Sequence, residues 1–156
     1  MEDITNIQDD NLGGLQLIRF APIEFFATAA AGTFKPGFDW IKVECTKETM
    51  QFNERTNDDV NGGYVDITIS GSIPKMRPEI SAILAKYNRR PVIVETQDNN
   101  GFDRRSGLSG RVILLDQAST GSDVSDLNNY QLQFTGRQLK PSLFIIVSTE
   151  PVTVPR

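Results

Sequence analysis

The sequence contains no histidine and a single cysteine. Without imidazole there is no Ser-His-Asp or Cys-His catalysis, no His-ligated zinc and no histidine pH switch. One cysteine makes no internal disulfide and no thiolate metal cluster. Basic excess is also missing. Sixteen Lys and Arg against twenty Asp and Glu leave a net charge of −4, where a general nucleic-acid binder shows a basic surplus and a membrane-surface protein a basic face for anionic lipid. No apolar run approaches the roughly 20 residues needed to cross a bilayer. The most apolar early stretch, Phe20 to Ala31, is interrupted by Pro22 and Glu24. The first residues lack the basic and apolar regions of a secretory signal, so a cytoplasmic start is expected.

What is present is a chain of 156 residues, 38% of them apolar, enough for one domain with a real core and no need of disulfide or metal. Period-two alternation dominates. Ile41, Val43 and Cys45 share one face of a strand and Lys42 and Glu44 the other. Tyr64 to Ile73 alternates most cleanly, with Val65, Ile67 and Ile69 against Asp66, Thr68 and Ser70. Leu15 to Phe20, Pro91 to Thr96, Arg111 to Leu115, Asn129 to Gly136 and Leu143 to Val147 read as further strands. Arg111 to Leu115 is expected to be buried on both faces, and Leu143 to Val147 to be a last buried strand. One helix is predicted near residues 77–88. Pro78 and Glu79 suit its start, Lys86, Arg89 and Arg90 its end, and Pro91 stops it. Met76, Ile80, Ile83, Leu84 and Tyr87 form its apolar stripe. Asn53 to Gly63 is polar and reads as a long turn or projecting arm. The expected architecture is mainly β, an antiparallel β-sandwich or flattened barrel with one packed helix. Residues 14–147 form its single domain, flanked by arms at 1–13 and 148–156.

No constellation points to catalysis. Asp98-Asn99-Asn100-Gly101-Phe102-Asp103 has the look of a calcium loop but lacks the closing glutamate of an EF-hand, and a hairpin turn is the simpler reading. Gly107-Leu108-Ser109-Gly110 is not a nucleophile elbow. No phosphate-binding glycine loop occurs. Asp58, Asp59, Asp123 and Asp126 lie in loops, where acids serve solvation. A carboxylate-only enzyme remains a rival on paper. Cys45, on an apolar face, reads as a small core residue. No enzyme activity, cofactor or metal is expected.

Two surface features invite a partner. Arg104 and Arg105 follow the Asp98–Gly101 turn, where they are solvated, bind an anion or meet Asp58 or Asp59 of a neighbouring copy. Phe34, Phe38 and Trp40, with Phe25 and Phe26 close by in sequence, could form an aromatic patch for sugar or another ligand; core filling accounts for some of these rings. Two strands echo each other faintly, Ile67-Thr68-Ile69-Ser70-Gly71 and Leu132-Gln133-Phe134-Thr135-Gly136, each with a tyrosine before it.

In the order of its elements the chain resembles the small structural proteins of tailed-phage tails, the tail-tube-like family that includes tail-terminator, tail-completion and head–tail ring proteins. The strand Tyr64 to Ile73, the helix Pro78 to Asn88, the hairpin Pro91 to Leu115 and the segment Tyr130 to Gly136 followed by Pro141 and Phe144 carry the resemblance. It covers most of the chain but rests on no signature motif. It implies a non-enzymatic virion protein at a tail or head–tail junction, made in the host cytoplasm. Its partners would be itself, as a hexamer or higher ring, and neighbouring virion proteins, with no membrane and no sequence-specific nucleic acid. The ring would surround a DNA-passing channel, whose wall the acidic balance would help keep repulsive.

Overall fold

The structure, a computed structural model, describes residues 4 and 12–145. The arms expected at 1–13 and 148–156 fall almost wholly outside the described residues. Strand β1 (Leu15–Pro22) leads through a 3-10 turn (Ile23–Phe25) into the small hairpin β2 (Phe26–Thr28) and β3 (Thr33–Phe34), and β4 (Ile41–Val43) follows. Then come β5 (Gln51–Asp59), β6 (Gly62–Pro74), helix α1 (Pro78–Tyr87), β7 (Val92–Asp98) and β8 (Asp103–Ser106). The last strands are β9 (Gly110–Ser119), β10 (Asn129–Gln138) and β11 (Leu143–Ile145). Two antiparallel sheets face each other: a five-stranded sheet in the order β11-β8-β7-β1-β4 and a four-stranded sheet in the order β5-β6-β10-β9. The expected β-sandwich with one helix is what the chain forms.

Alternation builds the core. Val65, Ile67 and Ile69 of β6, Val112 and Leu114 of β9, and Leu132 and Phe134 of β10 turn inward to meet Ile18 and Phe20 of β1 and Val92 and Val94 of β7. The echo segments lie side by side as the central pair of the four-stranded sheet, with Phe134 opposite Ile69. Helix α1 closes one side. Leu84 and Tyr87 are buried against the sheets, Met76 and Ile80 are partly buried, and Tyr87 meets Phe20 edge-on at 5.8 Å. Its polar edge is tied down where the Tyr130 hydroxyl bonds Ser81 and donates to the Arg77 carbonyl at 3.3 Å.

Four expectations need correction. Residues 53–63 are not a projecting arm. Gln51 to Asp59 pairs residue for residue with β6, and only the turn beyond it projects. Arg111 to Leu115 alternates instead of being buried on both faces, with Arg111 exposed and Val112 and Leu114 inside. Leu143 to Ile145 is an exposed edge strand instead of a buried one; Ile146 and Val147 lie outside the described residues. Ile83 is 42% exposed, so it leaves the helix stripe and faces a surface groove.

A charged row under an aromatic flap

The five-stranded sheet carries on its outer face a row of side chains set by register. Leu143 of β11 stands opposite Arg105 of β8, Arg105 opposite Glu95 of β7, Glu95 opposite Arg19 of β1, and Arg19 opposite Lys42 of β4. At its centre two guanidiniums share one carboxylate. Arg19 Nε donates to Glu95 Oε1 at 2.8 Å and its Nη2 reaches the same oxygen. Arg105 Nε and Nη2 donate to Oε2 at 3.1 and 2.8 Å. Glu95 is only 2% exposed. An ionised carboxylate tolerates such burial only with charged, hydrogen-bonding partners around it.

The cover comes from the β2–β3 hairpin. Phe26, Phe34 and Trp40 stack on one another, with Phe26 and Phe34 4.4 Å apart and Trp40 edge-on to both. With Ala21 and Ile93 beneath, they make a second small core outside the sandwich. Trp40 lies beside both guanidiniums, 5.3 Å from Arg19 and 5.7 Å from Arg105, within cation–π range. Arg105 Nη1 donates to the Ala30 carbonyl at 3.1 Å, so the flap is pinned to the row by its backbone as well. Gly32 makes this seating possible. Its φ is +70°, and a Cβ there would stand 2.6 Å from Arg105 Nη2.

The sequence-predicted partner residues are thus distributed differently from expectation. Arg104 and Arg105 are on β8, not at the hairpin tip, which is Asn99–Phe102, where Asp98 Oδ1 accepts from the Asn100 and Phe102 amides at 3.0 and 2.9 Å. Arg105 is committed to Glu95 within its own chain, so its proposed bridge to a neighbour's Asp58 or Asp59 is withdrawn. Arg104 is held between the rings of Phe52 and Phe144, at 5.1 and 4.7 Å, and reaches Asp98 at 3.4 Å. Asp58 and Asp59 are exposed at the end of β5. Of the aromatic patch, Phe34 and Trp40 are partly buried in the flap. Phe38 remains exposed, its ring tilted against Phe25 with centroids 4.3 Å apart. The patch is therefore mostly packing.

The outer face of the four-stranded sheet is different in kind. Gln51, Ser70 and Gln133 stand side by side across β5, β6 and β10, with Asn53 and Thr68 in a neighbouring row. They floor a shallow trough of about 710 Å³ in which Asp116 is the one charged residue among those lining it. No group of three or more residues that could hold a metal ion occurs among the described residues. Cys45 is packed over Gly71, and burial pushes its thiol up to about 11, so it stays protonated. Asp126 accepts from the Ser122 and Asp123 amides, which hold its carboxyl below the usual range.

Fold and site together define an antiparallel β-sandwich whose most buried charged centre, among the described residues, is a structural clasp for a flap. Comparison with protein-family models, with curated proteins and with solved structures gave no match.

Proposed function

We propose that the protein is a non-enzymatic structural subunit that assembles with copies of itself into a closed ring around a channel. The observation that carries this reading is the open edge of the four-stranded sheet. β5 is nine residues long and pairs with β6 without a break in register. It contains no Pro and no bulge, so its outward backbone groups keep a regular ladder, and its charged residues Glu54, Arg55, Asp58 and Asp59 would restrict pairing to a specific partner edge. At the opposite edge, β9 is bridged by Asn88 and Pro91 at Leu114 and Ile113, leaving its second half open. Four antiparallel strands make β5 and β9 run in opposite directions. Rotation of one copy onto the next therefore sets β9 antiparallel to β5, and a closed ring removes both edges.

Such a ring would turn this outer face toward its channel, a surface of hydroxyl and carboxamide groups crossed by one charged row, Arg55, Asp66, Arg137 and Arg111. The resemblance to small tail proteins of tailed phages supplies the setting within this reading: a virion ring at a tail or head–tail junction, with neighbouring virion proteins as partners and DNA as cargo. Sedimentation or native mass measurement tests it. A hexamer or larger species is expected, and a strict monomer at high concentration overturns it. Thr56→Pro and Asn57→Pro, at adjacent positions of β5, remove one amide facing β6 and one facing the open edge. At least one should give a folded monomer; two folded variants assembling like the parent would count against the edge.

A further inference from the structure

We infer that the acidic N-terminal arm of one copy lies across the outer face of the four-stranded sheet of the next, where its carboxylates meet a row of arginines. This rests on the ring reading above and names a second contact between the copies.

The row is incomplete within one chain. Across the sheet Arg55 of β5 stands opposite Asp66 of β6, Asp66 opposite Arg137 of β10, and Arg137 opposite Arg111 of β9. Three guanidiniums thus share one carboxylate over about 14 Å, three strand spacings, on a protein of net charge −4. Asp66 pairs with Arg137 at 3.0 Å, and that guanidinium lies 4.2 Å from the centre of the Tyr64 ring. Arg55 and Arg111 are exposed and have no ion pair among the described residues. Arg137 and Arg111 are like charges directly opposite on paired strands. That arrangement is destabilising, and an anion laid along the row relieves it.

The chain supplies such an anion itself. Residues 1–11 hold Glu2, Asp3, Asp9 and Asp10 and no Lys or Arg. The arm departs beside the face in question. The Leu12 amide donates to Asn100 Oδ1 at 2.9 Å, and the Leu15 amide to the Met50 carbonyl at 3.4 Å. Met50 lies between Thr49 and Gln51, which line the trough on that face. Eleven extended residues reach about 36 Å, more than the roughly 30 Å covered by the nine residues of β5. An arm starting at this end of the trough is therefore long enough to run the length of the sheet. The face it covers is a neighbour's. In the single chain Ile4 is wholly exposed, an apolar side chain with nothing against it. β5, beside which the arm departs, is the edge that the ring joins to the next copy's β9, the strand that carries Arg111. On the same face of β9, Ile113 and Leu115 are half-buried and give Ile4 an apolar floor. Exposed ion pairs are individually weak, so the acids act together and the contact fades with salt.

Two variants each reverse one side of the contact. The arm variant carries Glu2→Lys, Asp3→Lys, Asp9→Lys and Asp10→Lys, and the row variant carries Arg111→Glu and Arg137→Glu. Each alone should assemble about tenfold more weakly than the parent at low salt, as loss of several exposed pairs does. Mixing the two should restore an assembly of parental mass, because each then offers the other a matching arm and row. Variants that both assemble like the parent overturn this contact and leave the ring standing. Restoration in one chain carrying both sets of changes, but not in the mixture, puts the arm on its own sheet and overturns the contact between copies. A parent that never exceeds a monomer overturns the ring itself. A short DNA duplex bound by the parent and the arm variant but not by the row variant gives the row to nucleic acid and overturns the arm as its occupant. The parent needs no substitution for a second test. Its assembly should weaken as salt rises from about 0.1 to about 1 M, where the screening length falls to about 3 Å; indifference to salt counts against the contact.

Discussion

The two outer faces of this sandwich are built by the same alternation and end up opposite in character. On the five-stranded sheet, outward positions carry Arg105, Glu95 and Arg19, and the chain folds an aromatic flap beside them. On the four-stranded sheet, the central outward positions carry Gln, Ser, Asn and Thr, and no other element of the described residues lies over them. Buried charge has gone where the chain itself provides a cover; on the open face the one charged row, Arg55, Asp66, Arg137 and Arg111, lies among neutral polar groups and stays in solvent. A covered charge must be paired in full, so it fixes geometry, whereas an uncovered amide surface fixes little and stays available. The face that holds the flap is therefore occupied by the chain itself, and the bare face is open to solvent.

Breaking the clasp should give the largest effect. Glu95→Ala leaves two guanidiniums without their carboxylate, and loss of one partner of a buried pair costs about 3–5 kcal/mol. A urea midpoint close to the parent's would show the row to be dispensable. The interior shared by both sheets sets the next scale. Leu84→Ala, at a buried helix position, should cost about 2–5 kcal/mol in the same titration. Gly32→Ala tests the cover without touching the charges. A Cβ against Arg105 at a positive φ should cost about 1–3 kcal/mol and raise the accessibility of Trp40 to fluorescence quenchers. Asp66→Asn provides the contrast. It removes an exposed pair with Arg137 at 3.0 Å on the bare sheet and should change stability by about 0–1 kcal/mol. A larger loss there would erase the distinction between the faces.

Much of the fold was legible, and the reasons are local. Tyr64 to Ile73 alternates because one face of β6 is buried along nearly its whole length. The helix from Pro78 carries its own start and stop signals. β5 was misread because Asn53 to Asp59 is polar on both faces. Its backbone pairing with β6 makes it a strand, against weak side-chain preference. The charged row was missed because Arg104 and Arg105 looked like solvated turn residues. A signal was present all the same. Glu95 ends the apolar run Val92 to Val94, and Arg19 is set between Ile18 and Phe20. Charges inside apolar strands announce a buried partner. Which charge meets which depends on register over 76 residues, which periodicity does not encode.

That separation in sequence also orders events in time. Glu95 meets Arg105 across 10 residues but Arg19 across 76, and Arg105 reaches the flap carbonyl of Ala30 across 75. The β7–β8 half of the clasp is a local hairpin contact that closes early and cheaply in chain entropy. The flap half needs β1 already seated beside β7, so the aromatic cover is the last piece to close in folding and the first to lift in unfolding. Weakening it at Ala30 or Gly32 should then accelerate unfolding and leave the refolding rate unchanged.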